Sequence, residues 1–144
     1  MLVFAYFCGI ICGTMNAKTE YWLELCDDDL LTAKALFQSK RYLHMGFFCH
    51  LIVEKALKAV IAHKTDEIPP RIHDLVKLAS MGSVFDIMSD EQKQLLHTLM
   101  PLQIEARYPE YKKRIAASLS TIHCEQLLSA TEEFLCWIKQ QFEK

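Results

Sequence analysis

One segment of the sequence places three polar side chains in line along a hydrophobic helix. His50, Glu54 and Lys58 are spaced four residues apart within Arg41–Lys64, a segment that is apolar on nearly every side. Residues at this spacing share one face of a helix, and a glutamate before a lysine is the favourable order for an ion pair. The stripe predicts either an ion pair at the edge of a buried face or a polar pocket, in which Lys58 binds an anion and Glu54 orients it.

A second candidate follows the prolines Pro69 and Pro70. His73 and Asp74 stand where a new helix is expected to begin. An aspartate near the positive end of a helix dipole is favourable, so the pair can be a local cap. The imidazole of His73 can equally be a ligand-binding group, and the dipeptide leaves both interpretations open.

The most basic segment is RYPEYKKR, residues 107–114, which we expect to form a loop that contains Pro109. Arg107 offers a planar fork for phosphate, and Tyr108 offers a ring that can stack on a base. The composition fits a phosphate-binding loop and, equally, an exposed basic loop without a ligand.

Several well-defined motifs are missing from the sequence. It contains no Gly-rich phosphate loop, no HExxH, no GxSxG and no dinucleotide fingerprint. The six cysteines include no CxxC pair, and the histidines are scattered. We therefore expect reduced thiols in a cytoplasmic protein, with neither a metal nor a cofactor.

The overall charge does not favour nucleic-acid binding across the whole surface. A net charge of −2 gives no general attraction to nucleic acid, and the sequence has no DNA-specific signal, although a local basic patch is compatible with both facts. The acids Asp27, Asp28 and Asp29 point in different directions on a helix, so we expect a solvated acidic face there and no metal site.

The elements that position these groups are predicted to be helical. Only four glycines and four prolines leave little turn material for a sheet. Apolar periodicity predicts helices over about residues 20–39, 41–64 and 120–142, with another from Ser89 and a shorter one from His73. The predicted fold class is all-α: an up-and-down antiparallel helical bundle of four long helices plus one shorter helix.

Residues 1–14 are strongly apolar, lack a basic leading region and are too short to span a bilayer. We interpret them as an N-terminal extension, native or produced by a misassigned start, and place the helical domain at residues 15–144. A cleaved export signal is the alternative.

Three short motifs follow one another along the chain. They are Val53–Ala59 (VEKALKA) at the end of the hydrophobic helix, Ile72–Leu75 (IHDL) after Pro69, and Ala106–Pro109 (ARYP). Their order and spacing over about residues 20–139 resemble the HEPN domain family (higher eukaryotes and prokaryotes nucleotide-binding). The resemblance implies a compact α-helical bundle, a homodimer and a minimal nucleotidyltransferase partner in toxin–antitoxin-like pairs.

Many members of that family are metal-independent endoribonucleases that use an arginine followed, after four to six residues, by a histidine. The positions that follow Arg107 at this spacing are Lys112, Lys113 and Arg114, so the motif is absent there. The spacing from Arg41 also excludes His44 and His50. The resemblance therefore implies a nucleotide-binding member more than an enzyme.

The resemblance also implies roles for individual residues. In a homodimeric module that binds a nucleotide or an RNA phosphate, Arg107 and Lys58 would contact phosphate, Tyr108 would stack or hydrogen-bond, and Glu54 and His73 would hold the pocket in shape. In the alternative, an endoribonuclease toxin with a non-standard site, the catalytic candidates are His73 as base or acid and Arg107 as stabiliser of the phosphorane charge.

The excess of apolar faces on the hydrophobic helix also suggests a dimer seam. A structural dimer, in which the stripe is only an ion pair, needs no ligand.

Overall fold

The computed structural model describes residues 15–104 and 108–144, and in those ranges the chain is helical and contains no strand. The helices are α1 (Ala17–Gln38), α2 (Tyr42–Thr65), α3 (Leu75–Met81), α4 (Asp90–Ile104), α5 (Pro109–Ser118) and α6 (Thr121–Gln141), with a 3-10 turn at Phe85–Ile87. The predicted all-α bundle is confirmed, and α5 is a second short helix beyond the one expected.

Contacts at the helix ends define the relative directions of the long helices α1, α2 and α6. Asn16, at the start of α1, donates from Nδ2 to the carbonyl of Ala62 near the end of α2 at 3.3 Å, so these two helices are antiparallel. Helix α6 begins where the hydroxyls of Tyr42 and Thr121 are 2.9 Å apart. It ends beside the ring of His63, so α6 runs parallel to α2.

Helix α4 crosses α2 at a glycine. A Cβ atom added to Gly46 would lie 3.0 Å from Cδ1 of Leu102, so the missing side chain is what lets the two helices approach this closely. Leu102 is near the end of α4 and Gly46 near the start of α2, so the end of α4 lies against the start of α2. Pro101 lies within α4, which continues to Ile104.

Helix boundaries coincide with side-chain caps. The Asn16, Asp74 and Ser120 side chains accept hydrogen bonds from backbone amides at the starts of α1, α3 and α6. Before α4, Ser89 and Gln92 form a reciprocal capping box of 3.1 and 2.9 Å. Asp74 is thus the cap of α3, which leaves its neighbour His73 available for another contact.

Helix α2 is the centre of the bundle, as the sequence predicted, and it contacts each of the other α-helices. Its fully buried side chains include Met45, Ile52 and Leu57. Each side chain of this size stabilises the fold by about 1.5–3 kcal/mol when it is removed from water. The polar residues of the stripe are enclosed together with this apolar surface.

Two expectations about surface segments were wrong. Residues 109–114 of the RYPEYKKR segment belong to helix α5 and do not form a loop. Pro109 occupies the first turn of this helix, where its fixed φ is suitable and its missing N–H is not needed. The acidic run is not wholly solvated either. Asp29 is buried, 8% exposed, and accepts a hydrogen bond from Lys55 of α2.

The cysteines of the described ranges lie mostly in the core. Cys26, Cys49 and Cys124 are buried. Burial raises the pKa of the Cys49 thiol to about 12 and also raises the pKa of Cys26. Such thiols stay protonated and pack as small apolar groups.

Parts of the earlier predictions lie outside the described ranges. These are residues 1–14 and residues 105–107. The domain boundary at residue 15 therefore stays a prediction, and Arg107 lies outside the described residues. Within the described ranges, none of the helices has the length and apolar character needed to cross a bilayer.

Candidate functional site

The carboxylate of Glu54 is the centre of a buried polar cluster. Its Oε1 accepts a hydrogen bond from Lys58 Nζ at 2.7 Å, and its Oε2 lies 3.0 Å from His73 Nδ1. Glu54 and Lys58 are only 4% and 6% exposed. The stripe is therefore an ion pair inside the protein, and the segment before α3 adds a third partner from outside α2.

The contact with Glu54 determines which ring nitrogen of His73 donates the hydrogen bond. An ionised carboxylate can only accept hydrogen bonds, so Nδ1 of His73 carries the hydrogen of this contact. In the neutral ring, Nε2 is then an acceptor. Because the side chain of His73 is 54% exposed, it is the member of the cluster that faces solvent.

His50 lies beneath the cluster and is 1% exposed. Its Nδ1 is 3.6 Å from Glu54 Oε2, a distance too long for a hydrogen bond. This nitrogen therefore has no hydrogen-bond partner among the described residues. Burial lowers the pKa of His50 from 6.5 to about 4, although the nearby Glu54 charge acts in the opposite direction. The imidazole is therefore neutral at physiological pH.

The ammonium of Lys58 also contacts an aromatic ring of α1. Its Nζ is 5.7 Å from the ring centroid of Trp22, a cation–π contact. Trp22 and Tyr21 meet edge to face, with their centroids 6.0 Å apart. Both rings line a surface depression of about 360 Å³ whose other walls are Ala17, Lys18, Ile68 and Pro69.

Polar and aromatic groups thus adjoin each other at this surface. The charges of Glu54 and Lys58 cancel, and each imidazole that takes up a proton adds one positive charge. The depression beside Trp22 is lined mostly by apolar side chains, and Tyr21 and Ile68 are 57% and 83% exposed. A flat apolar ring suits the depression, and an anion or a hydrogen-bonding group suits the cluster. Those two features are combined in a nucleotide.

The structure brings together three of the five predicted ligand-binding residues, namely Glu54, Lys58 and His73. Tyr108 is 57% exposed and immediately precedes α5, and the polar contacts of the described residues do not join it to this cluster. Arg107 lies outside the described residues. The ligand roles of all five stay predictions.

Trp22 and Tyr21 were not among the predicted site residues. The ring of Trp22 is partly buried against the core. The available signal was the pair of adjacent aromatic residues. Neighbouring residues on a helix point about 100° apart, so a single stripe cannot bury both.

The histidines and the carboxylate do not form a metal centre. Within residues 15–104 and 108–144, no group of three or more His, Cys, Asp or Glu side chains is arranged to hold a metal ion. The described side chains of the cluster can form hydrogen bonds, carry charge and transfer a proton.

Comparison with known proteins agrees with the order of the sequence motifs. The model of the HEPN domain family matches residues 19–141, a range that contains α1 to α6 almost completely. The family resemblance noted in the sequence is confirmed. No curated protein and no solved structure matches the chain significantly.

Proposed function

We propose, from the premise that the chain belongs to the HEPN domain family, that it is a cytoplasmic homodimeric module that binds a nucleotide or an RNA phosphate. Its expected partner is a minimal nucleotidyltransferase, in the manner of a toxin–antitoxin pair. The observation that carries the proposal is the cluster of Glu54, Lys58 and half-exposed His73 beside the Trp22 depression.

The proposed roles follow from exposure and charge. The base stacks against Trp22 and Tyr21, and His73 faces the ligand with its orientation fixed by Glu54. Lys58 holds the Glu54 carboxylate and neutralises a charge that would otherwise repel the phosphate. Arg107 supplies the main phosphate contact, since a guanidinium binds phosphate through two parallel hydrogen bonds, and Tyr108 adds a second ring or a hydroxyl donor.

The homodimer is supported by apolar side chains that the protomer covers incompletely. Phe47 and Leu51 lie one turn apart on α2 and are only half-buried. Leu31 on α1 and Ile122 on α6 are 68% and 69% exposed. Light scattering after gel filtration tests the dimer, and Leu31→Glu and Phe47→Glu, measured separately, ask which apolar surface forms the seam.

Calorimetric titration tests the proposed ligand. ATP, GTP and a short RNA are titrated into the wild type and into Arg107→Ala, with Lys93→Ala as the matched loss of an exposed cation elsewhere. We expect saturable heat for at least one ligand, and about tenfold weaker binding or more in Arg107→Ala, which is about 1.4 kcal/mol. Absence of heat with every ligand would contradict the proposal, as would equal affinity in Arg107→Ala and Lys93→Ala.

One observation favours a second function, a metal-independent endoribonuclease. The Glu54–His73 contact orients an exposed imidazole through Nδ1, as a carboxylate orients a catalytic base. In that reaction His73 Nε2 would take the proton of the 2′-hydroxyl as its oxygen attacks phosphorus, and Arg107 would stabilise the charge on the phosphorus-bound oxygens. The bond from phosphorus to the 5′-oxygen breaks, leaving a 2′,3′-cyclic phosphate, and the 5′-oxygen takes its proton from water. The usual arginine–histidine spacing of the family is absent, which is why binding is the first proposal.

A cleavage assay separates the two functions. Labelled single-stranded RNA is incubated with the wild type and with His73→Gln in the presence of EDTA. Cleavage by the wild type that is lost in His73→Gln supports the ribonuclease. Intact RNA with both proteins, together with harmless expression of the wild type, supports the binding module alone.

A further inference from the structure

A second polar surface lies at the other end of α2. A groove of about 330 Å³ separates the turn between α1 and α2 from one side of α5. The residues that line it are Lys40, Arg41, Tyr42, Leu43, His44, Lys112, Ala116 and Leu119. Two separate elements therefore direct positively charged or imidazole side chains toward one opening.

None of the described residues that line the groove carries a carboxylate. Lys40, Arg41 and Lys112 are exposed and form none of the ion pairs of the described residues. By contrast, Lys34 pairs with Glu132 and Lys139 with Asp27. In a chain with net charge −2, such a concentration of unpaired cations is a local positive potential that attracts polyanions.

The backbone adds to this potential. Arg41 is the N-cap of α2, its side chain makes no capping hydrogen bond, and the first turn of α2 contains no acidic residue. The N-termini of α1, α3 and α6 are each capped by a side-chain oxygen. The positive end of the α2 dipole therefore adds to the charge of the cations in the groove.

Aromatic side chains continue the surface along α5. Tyr42 lines the groove itself, and Tyr111, directly before Lys112 on α5, is 39% exposed. The ring centroid of Tyr111 is 5.1 Å from Cζ of Arg114. Cations that follow a backbone, next to rings on which bases can stack, are the combination that binds single-stranded nucleic acid without sequence preference.

We propose that this groove is a second binding site, which takes the sugar–phosphate backbone of a single-stranded polynucleotide. It goes beyond the proposed function, because its ligand is a strand and its residues are not those of the Glu54 cluster. Arg41 and Glu54 are separated by about 20 Å along α2, because they are thirteen residues apart and each residue of an α-helix rises about 1.5 Å. A single nucleotide bound at the Glu54 cluster does not need the groove.

Fluorescence anisotropy of the full chain tests the proposal. The probes are 5′-labelled 12-nucleotide oligo-U RNA and oligo-dT DNA, measured at several salt concentrations. The variant is Lys40→Gln/Arg41→Gln/Lys112→Gln. Its matched control is Lys77→Gln/Lys93→Gln/Lys144→Gln, three lysines that form none of the described ion pairs, and circular dichroism checks that all proteins fold.

We expect both strands to bind the wild type with a clear salt dependence, since they share phosphates. The groove variant should bind at least tenfold more weakly. The slope of log affinity against log salt should become shallower by about 2, because each of the three lost contacts contributes about 0.7 on a single strand. The control variant should keep the affinity and slope of the wild type.

Three results would overturn the site: no binding of either strand, equal weakening in the control variant, or tighter binding of a duplex than of a single strand. ATP titration of the same variants separates this proposal from the previous one. Loss of strand binding with ATP binding retained supports two sites. Strand binding without any ATP binding would refute the nucleotide site and leave the groove intact.

Discussion

Two ionic contacts join α2 to its surroundings at consecutive residues, Glu54 and Lys55, and they are built differently. Lys55 pairs with Asp29 of α1 through one carboxylate oxygen, which gives a one-to-one link between two helices. Glu54 uses both oxygens, for Lys58 and for His73, and has His50 at 3.6 Å. One carboxylate thus stands among three groups that can carry a proton.

The difference concerns what each contact can do besides hold the fold. The Asp29–Lys55 pair is neutral as a unit, and both of its side chains are mostly buried, at 12% and 20% exposure. The Glu54 cluster is neutral only while its imidazoles are unprotonated, and one of them is 54% exposed. A closed pair fixes helix packing, whereas the cluster can also exchange a proton or bind a group from solvent. Each of the following experiments tests this distinction.

The largest effect is expected from Glu54→Ala. It leaves the ammonium of Lys58, a residue whose side chain is only 8% exposed, without its partner. Breaking a buried pair in this way destabilises a protein by about 3–5 kcal/mol. Urea denaturation measures the change, and Glu54→Leu/Lys58→Met, which removes both charges, should recover most of it. If Glu54→Ala lowered the free energy of unfolding by less than about 1 kcal/mol, the Lys58 ammonium would be solvated by water or another group without Glu54.

The next effect is a pH dependence that originates in His50. Its pKa is 6.5 when unfolded and about 4 when folded, so the unfolded chain binds more protons between these values. Stability from this residue is complete above about pH 6.5 and is lost as the pH falls toward 4, by about 3 kcal/mol in total. Denaturation at several pH values should show this loss, and His50→Leu should remove it. An unchanged slope in His50→Leu would contradict the assignment.

A smaller effect is expected from Asp29→Ala. Lys55 loses its partner, but its side chain is 20% exposed and can reach water. We expect a loss of about 1–2 kcal/mol in the free energy of unfolding, with unchanged ligand affinity by calorimetry. A change of affinity as large as that produced by His73→Gln would show that the Asp29–Lys55 pair also supports ligand binding and does not only fix helix packing.

The smallest effect on stability is expected from His73→Gln. Because the ring is half-exposed, its contact with Glu54 should contribute less than about 1 kcal/mol to folding. Ligand binding should nevertheless weaken at least tenfold, since His73 is the member of the cluster that faces solvent. Denaturation and calorimetry on the same preparation measure both quantities. Strong destabilisation without loss of binding would make His73 a structural residue.

The sequence predicts those features of the fold and site that depend on local geometry. The burial of α2 follows from apolar residues on nearly every side. The alignment of His50, Glu54 and Lys58 follows from the helical repeat. These contacts lie within one helix, so no knowledge of the chain path is needed.

The remaining features depend on the path of the chain between helices. The contact of His73 with Glu54 requires the segment after Pro70 to return to the middle of α2, and the contact of Lys58 with Trp22 requires the pairing of α1 with α2. Asp29 was misplaced for the same reason, since three adjacent acids do not reveal which one faces the neighbouring helix. At Pro109 the same residue is compatible with a loop and with a helix start, so local chemistry did not decide between them.

The proposal that the Glu54 cluster and the Trp22 depression form one nucleotide site is tested most directly by the fluorescence of Trp22. The chain has two tryptophans, so Trp137→Phe isolates the signal of Trp22, and Trp22→Phe serves as the control. We predict that a nucleotide quenches Trp22 saturably and that adding His73→Gln raises the apparent Kd at least tenfold. Unchanged Trp22 emission at a nucleotide concentration that binds by calorimetry would place the ligand elsewhere and contradict this account.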